Sequence, residues 1–356
     1  MSYPETEDGP EGPYDSAPAA EEDLWFLPAP PDPDAAGLAP LPRADRRALL
    51  PLEEWRAAQA AQAAELARAA LAFGALEQAA AEDAGLIRRL ALTEASEISW
   101  QAGLRAPPER LALYGAGRLL GLGDAARDMA RAHWARRRLE GGADPVTDPA
   151  GFLGRRGRTG DRRPTGWEGA PHGGEFAALA EEWQARIAAA EALHPFVRAA
   201  LAEALWRALE LSAGEAAGVE ARVASARIAA VAGRGRLGFV PVAMGGRSVS
   251  GGGAEARLAG WLHAAEQGAL RGLLIARRLS DWQARAAEAL SGLSGRTPPA
   301  LITVLRRHPL VPAALAVSET GASAAAVQRN LALLEARGLI RERSGQSRFR
   351  FWEAAL

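Results

Sequence analysis

The sequence predicts a mainly α-helical protein whose strands are confined to one short hairpin near the C-terminus. Between residues 50 and 290, apolar residues recur at helical spacing in alanine-rich stretches that glycine or proline interrupts. From residue 339 onward, two short stretches lie on either side of Ser344, Gly345 and Gln346, and arginine alternates with phenylalanine in the second of them. This pattern is typical of two strands and a tight turn. A chain of 356 residues is long enough for two or three domains.

The first segment of the chain is acidic and rich in proline. Residues 1–42 contain ten acidic side chains and no arginine. Such a composition buries too little apolar surface to offset the entropy lost on ordering. We therefore expect a disordered acidic arm over residues 1–45. The chain has no cysteine, which excludes disulfide bonds and thiolate metal sites.

Residues 46–290 form the predicted helical body. We expect Gly85 to separate two of its helices and the pair His194-Pro195 to break another. The apolar run Leu237–Ala243 is interpreted as an extended segment or a hairpin. Residues 141–174, rich in glycine, proline and arginine, are expected to form a flexible basic loop, solvated or in nonspecific contact with phosphate. A hinge at 291–295 is expected to separate the body from the last domain.

Three helices are predicted in the last domain, residues 296–356. The first spans 299–307 and the second 312–318, and glycine at position 321 permits a sharp turn after the second. The third, 323–337, has Val327, Leu331 and Leu334 on one face. Ser323 suits its N-cap, and Gly338 suits the left-handed position that follows a helix.

Three helices followed by a hairpin are the order of a winged helix-turn-helix. In this fold the start of the third helix enters the major groove, where Gln328 could bind an adenine edge and Arg329 a guanine edge or a phosphate. From residue 291 onward, nine arginines accompany four glutamates, whereas the whole chain has a net charge of −1. The residues expected to contact double-stranded DNA lie on this helix and on the wing: Ser323, Ala324, Ala325, Gln328, Arg329, Arg341, Arg343, Arg348 and Arg350.

Other stretches of the chain resemble the Fic-domain family. Residues 71–78 and 90–103 are similar to the N-terminal helices of these proteins, and His194-Pro195-Phe196 is similar to the start of their motif. Leu334–Ile340 also resembles the winged helix that often follows a Fic body. The arrangement is similar to an uncharacterised proteobacterial family with a divergent Fic-like body and a C-terminal helix-turn-helix. This resemblance implies a Fic-like helical bundle over residues 46–290.

The chain departs from the Fic motif, His-x-Phe-x-(Asp/Glu)-Gly-Asn-Gly-Arg-x-x-Arg. In that family the histidine is the general base, the acid holds magnesium and the glycines cradle the nucleotide phosphates. Arg198 replaces the acid, residues 199–202 read Ala-Ala-Leu-Ala in place of the cradle, and Leu205 replaces the last arginine. Ala102 stands where the family has an inhibitory glutamate before Gly103. The resemblance therefore implies a degenerate body in which His194 alone could be catalytic.

The sequence favours a DNA-binding transcriptional regulator, with a body that supplies homodimerisation, a partner surface or ligand sensing. Two alternatives remain at this stage: a Fic-type nucleotidyl (AMP) transferase using His194, and a protein-interaction or antitoxin-like partner. No cofactor is expected, and the scattered histidines show no metal-ligand spacing. Without a long apolar run or a secretory signal, we expect a cytoplasmic protein with no membrane contact.

Overall fold

A computed structural model of the chain describes residues 50–117, 125–155, 170–247, 251–292, 295–345 and 350–356. These ranges contain thirteen α-helices and a single three-stranded antiparallel sheet, which confirms the prediction of a mainly α-helical fold. The predicted arm over residues 1–45, the middle of the basic loop and Arg348 lie outside the described residues. Within the described ranges, no helix has both the length and the apolar character needed to cross a bilayer.

The first ten helices precede residue 291. Their bounds are α1 Leu52–Ala61, α2 Ala63–Ala80, α3 Ala84–Gln101, α4 Pro108–Gly115, α5 Ala125–Glu140, α6 Pro149–Leu153, α7 Gly173–Ala189, α8 Pro195–Ala208, α9 Gly214–Ala229 and α10 Ala254–Leu290. Helix α10, with 37 residues, packs along α2 and also contacts α1, α3 and α8. The short helix α6 lies inside the segment expected to be a flexible loop, and Asp148 caps it by accepting from the Gly151 N–H at 2.9 Å.

Large aromatic side chains fill the core between these helices. Phe196 at the start of α8 contacts Phe73 of α2 and Trp261 of α10, with ring centroids 5.9 and 5.4 Å apart. Trp183 and Trp206 meet edge to face at 5.2 Å, and all five rings are essentially buried. Edge-to-face pairs stabilise a core beyond the area that they bury. The His194-Pro195 break therefore positions a core aromatic at the start of α8.

Gly85 does not separate two helices as the sequence suggests. The break lies at 81–83, where the Asp83 carboxylate accepts from the Leu86 N–H at 2.9 Å and caps α3. Gly85 is in the first turn of α3, and a Cβ there would overlap the carbonyl oxygen of Arg306. Glycine is required here because two backbones approach closely, not because the chain turns.

The apolar run Leu237–Ala243 forms neither a strand nor a hairpin. It is a sequence of turns leading into a 3₁₀ turn at Ala243–Gly245, and most of its side chains are buried. Two buried carboxylates bind the backbone of this region. Glu77 accepts from the Arg234 and Arg236 N–H groups at 2.7–2.9 Å, and Glu94 accepts from those of Ala243 and Met244, both at 2.8 Å. These bonds satisfy backbone N–H groups just before the run and at its end.

The C-terminal segment, residues 295–356, contains the remaining elements. They are α11 Thr297–Arg307, β1 Val311–Pro312, α12 Ala313–Thr320, α13 Ala324–Ala336, β2 Ile340–Glu342 and β3 Phe351–Ala354. Strand β3 lies between β1 and β2, with Val311 opposite Trp352 and Arg341 opposite Glu353. The sequence did not predict β1. The predicted N-cap at Ser323 and the left-handed backbone at Gly338 (φ 67°) are confirmed.

The C-terminal segment packs against α3 and α10, so the two parts are not separated in the way that a free hinge would allow. Arg89 of α3 is 7% exposed and donates to the carbonyl oxygens of Leu305, Arg306 and His308 at 2.6–3.1 Å. On α10, Trp282 Nε1 donates to the Leu339 carbonyl at 2.7 Å. We call this contact region the joint.

Candidate functional site

The outer face of α13 consists of the predicted DNA-contacting residues of that helix. Ser323, Ala324, Ala325, Gln328 and Arg329 are all exposed. The opposite face is fully buried through the apolar stripe that the sequence predicts: Val327, Leu331 and Leu334. Because the stripe anchors the helix on α11 and α12, the polar face at its start is turned towards solvent.

The turn before α13 is held by local hydrogen bonds. Ser323 Oγ accepts from the Ala326 N–H at 3.3 Å, and Thr320 Oγ1 accepts from the Ala322 N–H at 3.3 Å. Gly321 adopts a left-handed conformation with φ 65°, which a side chain would disfavour. These contacts fix the direction in which the first turn of α13 projects, without using the side chains of Gln328 or Arg329.

The arginines that are both predicted to contact DNA and described by the structure fall into two groups. Arg329 and Arg341 are exposed and make no hydrogen bond or ion pair with the described part of the chain. Arg343 instead donates to Glu353 at 2.7 Å, and the guanidinium of Arg350 lies over Trp352, 5.1 Å from the ring centroid. Arg350 also bonds both carboxylate oxygens of Glu335 at 3.2 Å.

The predicted wing therefore carries a mixture of free and paired charges. Glu342 accepts from the Ser344 and Gly345 N–H groups at 2.7 and 3.1 Å, which closes the turn after β2. Burial acts to raise the pKa of Glu342, but these hydrogen bonds and the Ser344 hydroxyl outweigh it, and the pKa is lowered. The lowered pKa keeps this carboxylate ionised within the predicted wing. Among the predicted DNA contacts that the structure describes, the unpaired positive charges are those of Arg329 and Arg341.

His194, the one candidate for catalysis, caps a helix. Its Nδ1 accepts from the Phe196 N–H at 3.1 Å, and its ring stands edge-on to Phe196 at 5.2 Å. Burial lowers the pKa of His194, which favours the neutral ring. Since Nδ1 is an acceptor, the proton of the neutral ring is on Nε2, and no nitrogen is left free to act as a base.

The positions at which the Fic resemblance would place the rest of the motif lie within α8. Residues 199–202 are in the interior of this helix and are at most 5% exposed. Their N–H groups are engaged in the helix, so they do not form a loop that could receive phosphate. Arg198 occupies the place of the magnesium-binding acid, and a guanidinium cannot coordinate a cation. In the described ranges, no three His, Asp or Glu side chains come together as metal ligands would.

Comparison with known proteins adds no family to this description. A scan against models of known protein families finds none that matches the chain, and a search of curated proteins finds no similar sequence.

Sequence reasoning did not find the residues of the joint. Arg88 donates to the Arg307 carbonyl at 3.2 Å, and Asp83 pairs with Arg306 at 2.6 Å, but neither residue was singled out in advance. The available signal was the pair Arg88-Arg89 within the apolar first half of α3. That signal does not say which carbonyl groups the guanidinium groups would bind.

Proposed function

We propose that this protein is a DNA-binding transcriptional regulator in which the C-terminal segment acts as a winged helix-turn-helix. The observation that carries the proposal is the outer face of α13, where Gln328 and Arg329 are exposed on the second turn of a helix that Ser323 caps. An exposed amide and an exposed guanidinium at the start of a helix suit the edges of bases in the major groove. Arg341, free on β2, suits a neighbouring phosphate.

A winged helix that docks on proteins is the competing interpretation, and salt dependence separates the two. Fragments selected from genomic DNA by the purified protein supply the probe, and fluorescence anisotropy measures binding over a range of salt concentrations. For DNA, affinity should fall steeply with salt, with a slope of about −0.9 for each phosphate neutralised. Failure to select any sequence, together with binding that is insensitive to salt, would overturn the proposal.

Two substitutions test the assigned residues. Arg329→Ala should weaken binding to the selected sequence by roughly 1–3 kcal/mol and relax its specificity, because a base contact is lost. Arg341→Ala should weaken binding to all sequences alike and reduce the salt slope by about one. Arg137→Ala is the matched control, since Arg137 is an exposed arginine on α5. The assignment is wrong if Arg329→Ala binds as the control does.

The body, on this proposal, is a non-catalytic scaffold that resembles a degenerate Fic domain. The helix-capping role of His194 and the helical interior at 199–202 support this part of the proposal. Incubation with labelled ATP and a cell extract should give no transfer of nucleotide to protein. Transfer that disappears in His194→Ala, with the helix content unchanged, would favour the enzyme instead.

A further inference from the structure

Three large apolar side chains are exposed on adjacent surfaces of α2 and α10. Leu71 is 75% exposed, Leu270 is 45% exposed and Leu274 is 47% exposed. Arg68 of α2 lies 3.8 Å from Glu266 of α10. Leu71 is one turn beyond Arg68, and Leu270 is one turn beyond Glu266, so each leucine lies about one turn from this ion pair on the exposed surface of its helix. We call this surface the α2–α10 face.

The α2 half of this face is nearly free of charge. Ala64, Ala67 and Ala75 are exposed at helical spacing around Leu71, and Gly74 beside them is exposed as well. The one arginine in this stretch, Arg68, pairs with Glu65 at 2.9 Å and with Glu266. Small side chains allow another helix to approach closely, and the lack of a positive excess does not suit nucleic acid.

One row of residues along α10, all of them exposed except the partly buried Gln267, follows the alternating spacing of three and four that forms a seam between paired helices. Leu270 and Leu274 are at the centre of this seam. Polar residues lie before the leucines and an oppositely charged pair lies after them. The seam comprises His263, Gln267, Leu270, Leu274, Arg277 and Asp281.

The seam is complementary to itself in the antiparallel direction. Rotation about an axis near Gly272 places Leu270 opposite Leu274 of a second copy. The same rotation places His263 opposite Asp281 of that copy, so a carboxylate meets an imidazole at each end. Arg277 and Asp281 are only 3.9 Å apart and both are exposed, so they can exchange this loose contact for one across the seam. Self-complementarity of this kind is what a two-fold interface requires.

We propose that the α2–α10 face binds a second copy of this chain, with the two α10 helices antiparallel about a two-fold axis near Gly272. The seam extends for about 27 Å along each helix. The exposed surface of α2 adds to the contact. Because the axis is two-fold, α2 of each copy makes the same contribution. This interface does not depend on DNA binding, and it is tested without DNA.

Sedimentation velocity over a dilution series tests the interface. The wild-type chain should sediment as a dimer, and Leu270→Glu should raise the dissociation constant at least about tenfold, which corresponds to 1.4 kcal/mol. Val231→Glu is the matched control, since Val231 is 65% exposed on another element. Circular dichroism verifies that both variants are folded. A wild-type monomer at every concentration overturns the proposal, and so does an equal effect of the two variants.

Cross-linking tests the antiparallel register, because the natural chain has no cysteine. An oxidised mixture of Leu270→Cys and Leu274→Cys proteins should form a disulfide-linked dimer faster than either protein alone. Faster linking of each variant with itself would indicate parallel helices and overturn the proposed register. Absence of linking in all three samples would show that the face does not meet a second copy.

Discussion

The joint and the outer face of α13 use the same residue types for opposite purposes. At the joint, Arg89 is buried and its guanidinium donates to carbonyl groups at the end of α11, where the helix dipole favours a positive charge. On the outer face, Arg329 is exposed and unpaired within the described residues. The first arginine stabilises the fold, whereas the second is available to a partner. The two side chains carry the same charge. They differ in burial and in whether carbonyl oxygens of the chain accept their hydrogen bonds.

Removal of Arg89 should have the largest effect on stability. Burial lowers the pKa of Arg89 to about 10, so the side chain is still charged at neutral pH and makes charge-assisted hydrogen bonds. Arg89→Ala leaves three carbonyl groups of the C-terminal segment without these donors, and we expect a loss of roughly 3–4 kcal/mol in urea unfolding. Arg88→Ala, at the edge of the joint, should cost about 1 kcal/mol. Equal effects of the two variants would contradict the comparison.

Glu94 extends the comparison to a buried acid. Burial raises its pKa from the usual 4.5 to about 7, against the two backbone N–H bonds that lower it. The folded protein therefore holds this proton more tightly than the unfolded chain, and the stability that Glu94 confers falls as the pH rises between these values. Each pKa unit corresponds to about 1.4 kcal/mol. Relative to Glu94→Gln, the wild type should lose roughly 2–3 kcal/mol between pH 5 and pH 8, and parallel curves would show that Glu94 does not titrate there.

Gly85 tests how closely the two parts approach at the joint. Gly85→Ala places a methyl group against the Arg306 carbonyl, and the resulting displacement should cost roughly 1–3 kcal/mol. Gly218→Ala is the matched control, because its Cβ would meet only the Ala102 Cβ at 3.7 Å, an ordinary contact. In a helix interior that change should be neutral or stabilising by up to about 1 kcal/mol. A stabilised Gly85→Ala variant would mean that the joint is looser than described.

The smallest effect on stability is expected at the two exposed, unpaired arginines of the predicted DNA contacts. Arg329→Ala and Arg341→Ala should alter the free energy of unfolding by no more than about 0.5 kcal/mol, because neither side chain supports another element. Urea unfolding of both variants beside Arg89→Ala measures the contrast directly. A substantial loss in either variant would place that arginine among the structural residues and weaken its assignment to DNA.

Local signals were sufficient to predict the elements but not their packing. The caps at Ser323 and Gly338 and the break at His194-Pro195 depend on neighbouring residues, and all three are confirmed. The prediction of a helix break at Gly85 is wrong because glycine is common both at helix breaks and where two backbones approach closely. Strand β1, Val311–Pro312, exists only because β3 pairs with it, and a two-residue strand has no periodicity to detect.

The structure of the apolar run Leu237–Ala243 also depends on residues that are distant in the sequence. Its composition suits a buried strand, but the backbone just before it and at its end bonds carboxylates on α2 and α3, and the Val240 N–H donates to the Ala226 carbonyl on α9. In the candidate site, the exposure of Gln328 and Arg329 agreed with the helical pattern. The pairing of Arg343 and Arg350 with nearby glutamates could not be inferred from that pattern, because it depends on how the sheet brings the residues together.

The uninterrupted length of α10 would also set distances in an assembly of two chains. Trp282 supports the C-terminal segment from a point ten residues beyond Gly272, or roughly 15 Å along the helix axis. Two chains related about that glycine would hold these supports roughly 30 Å apart, near the repeat of roughly 34 Å in duplex DNA. The length of α10 would then set the distance between the two C-terminal segments, and that distance would match the spacing of half-sites in a palindromic operator.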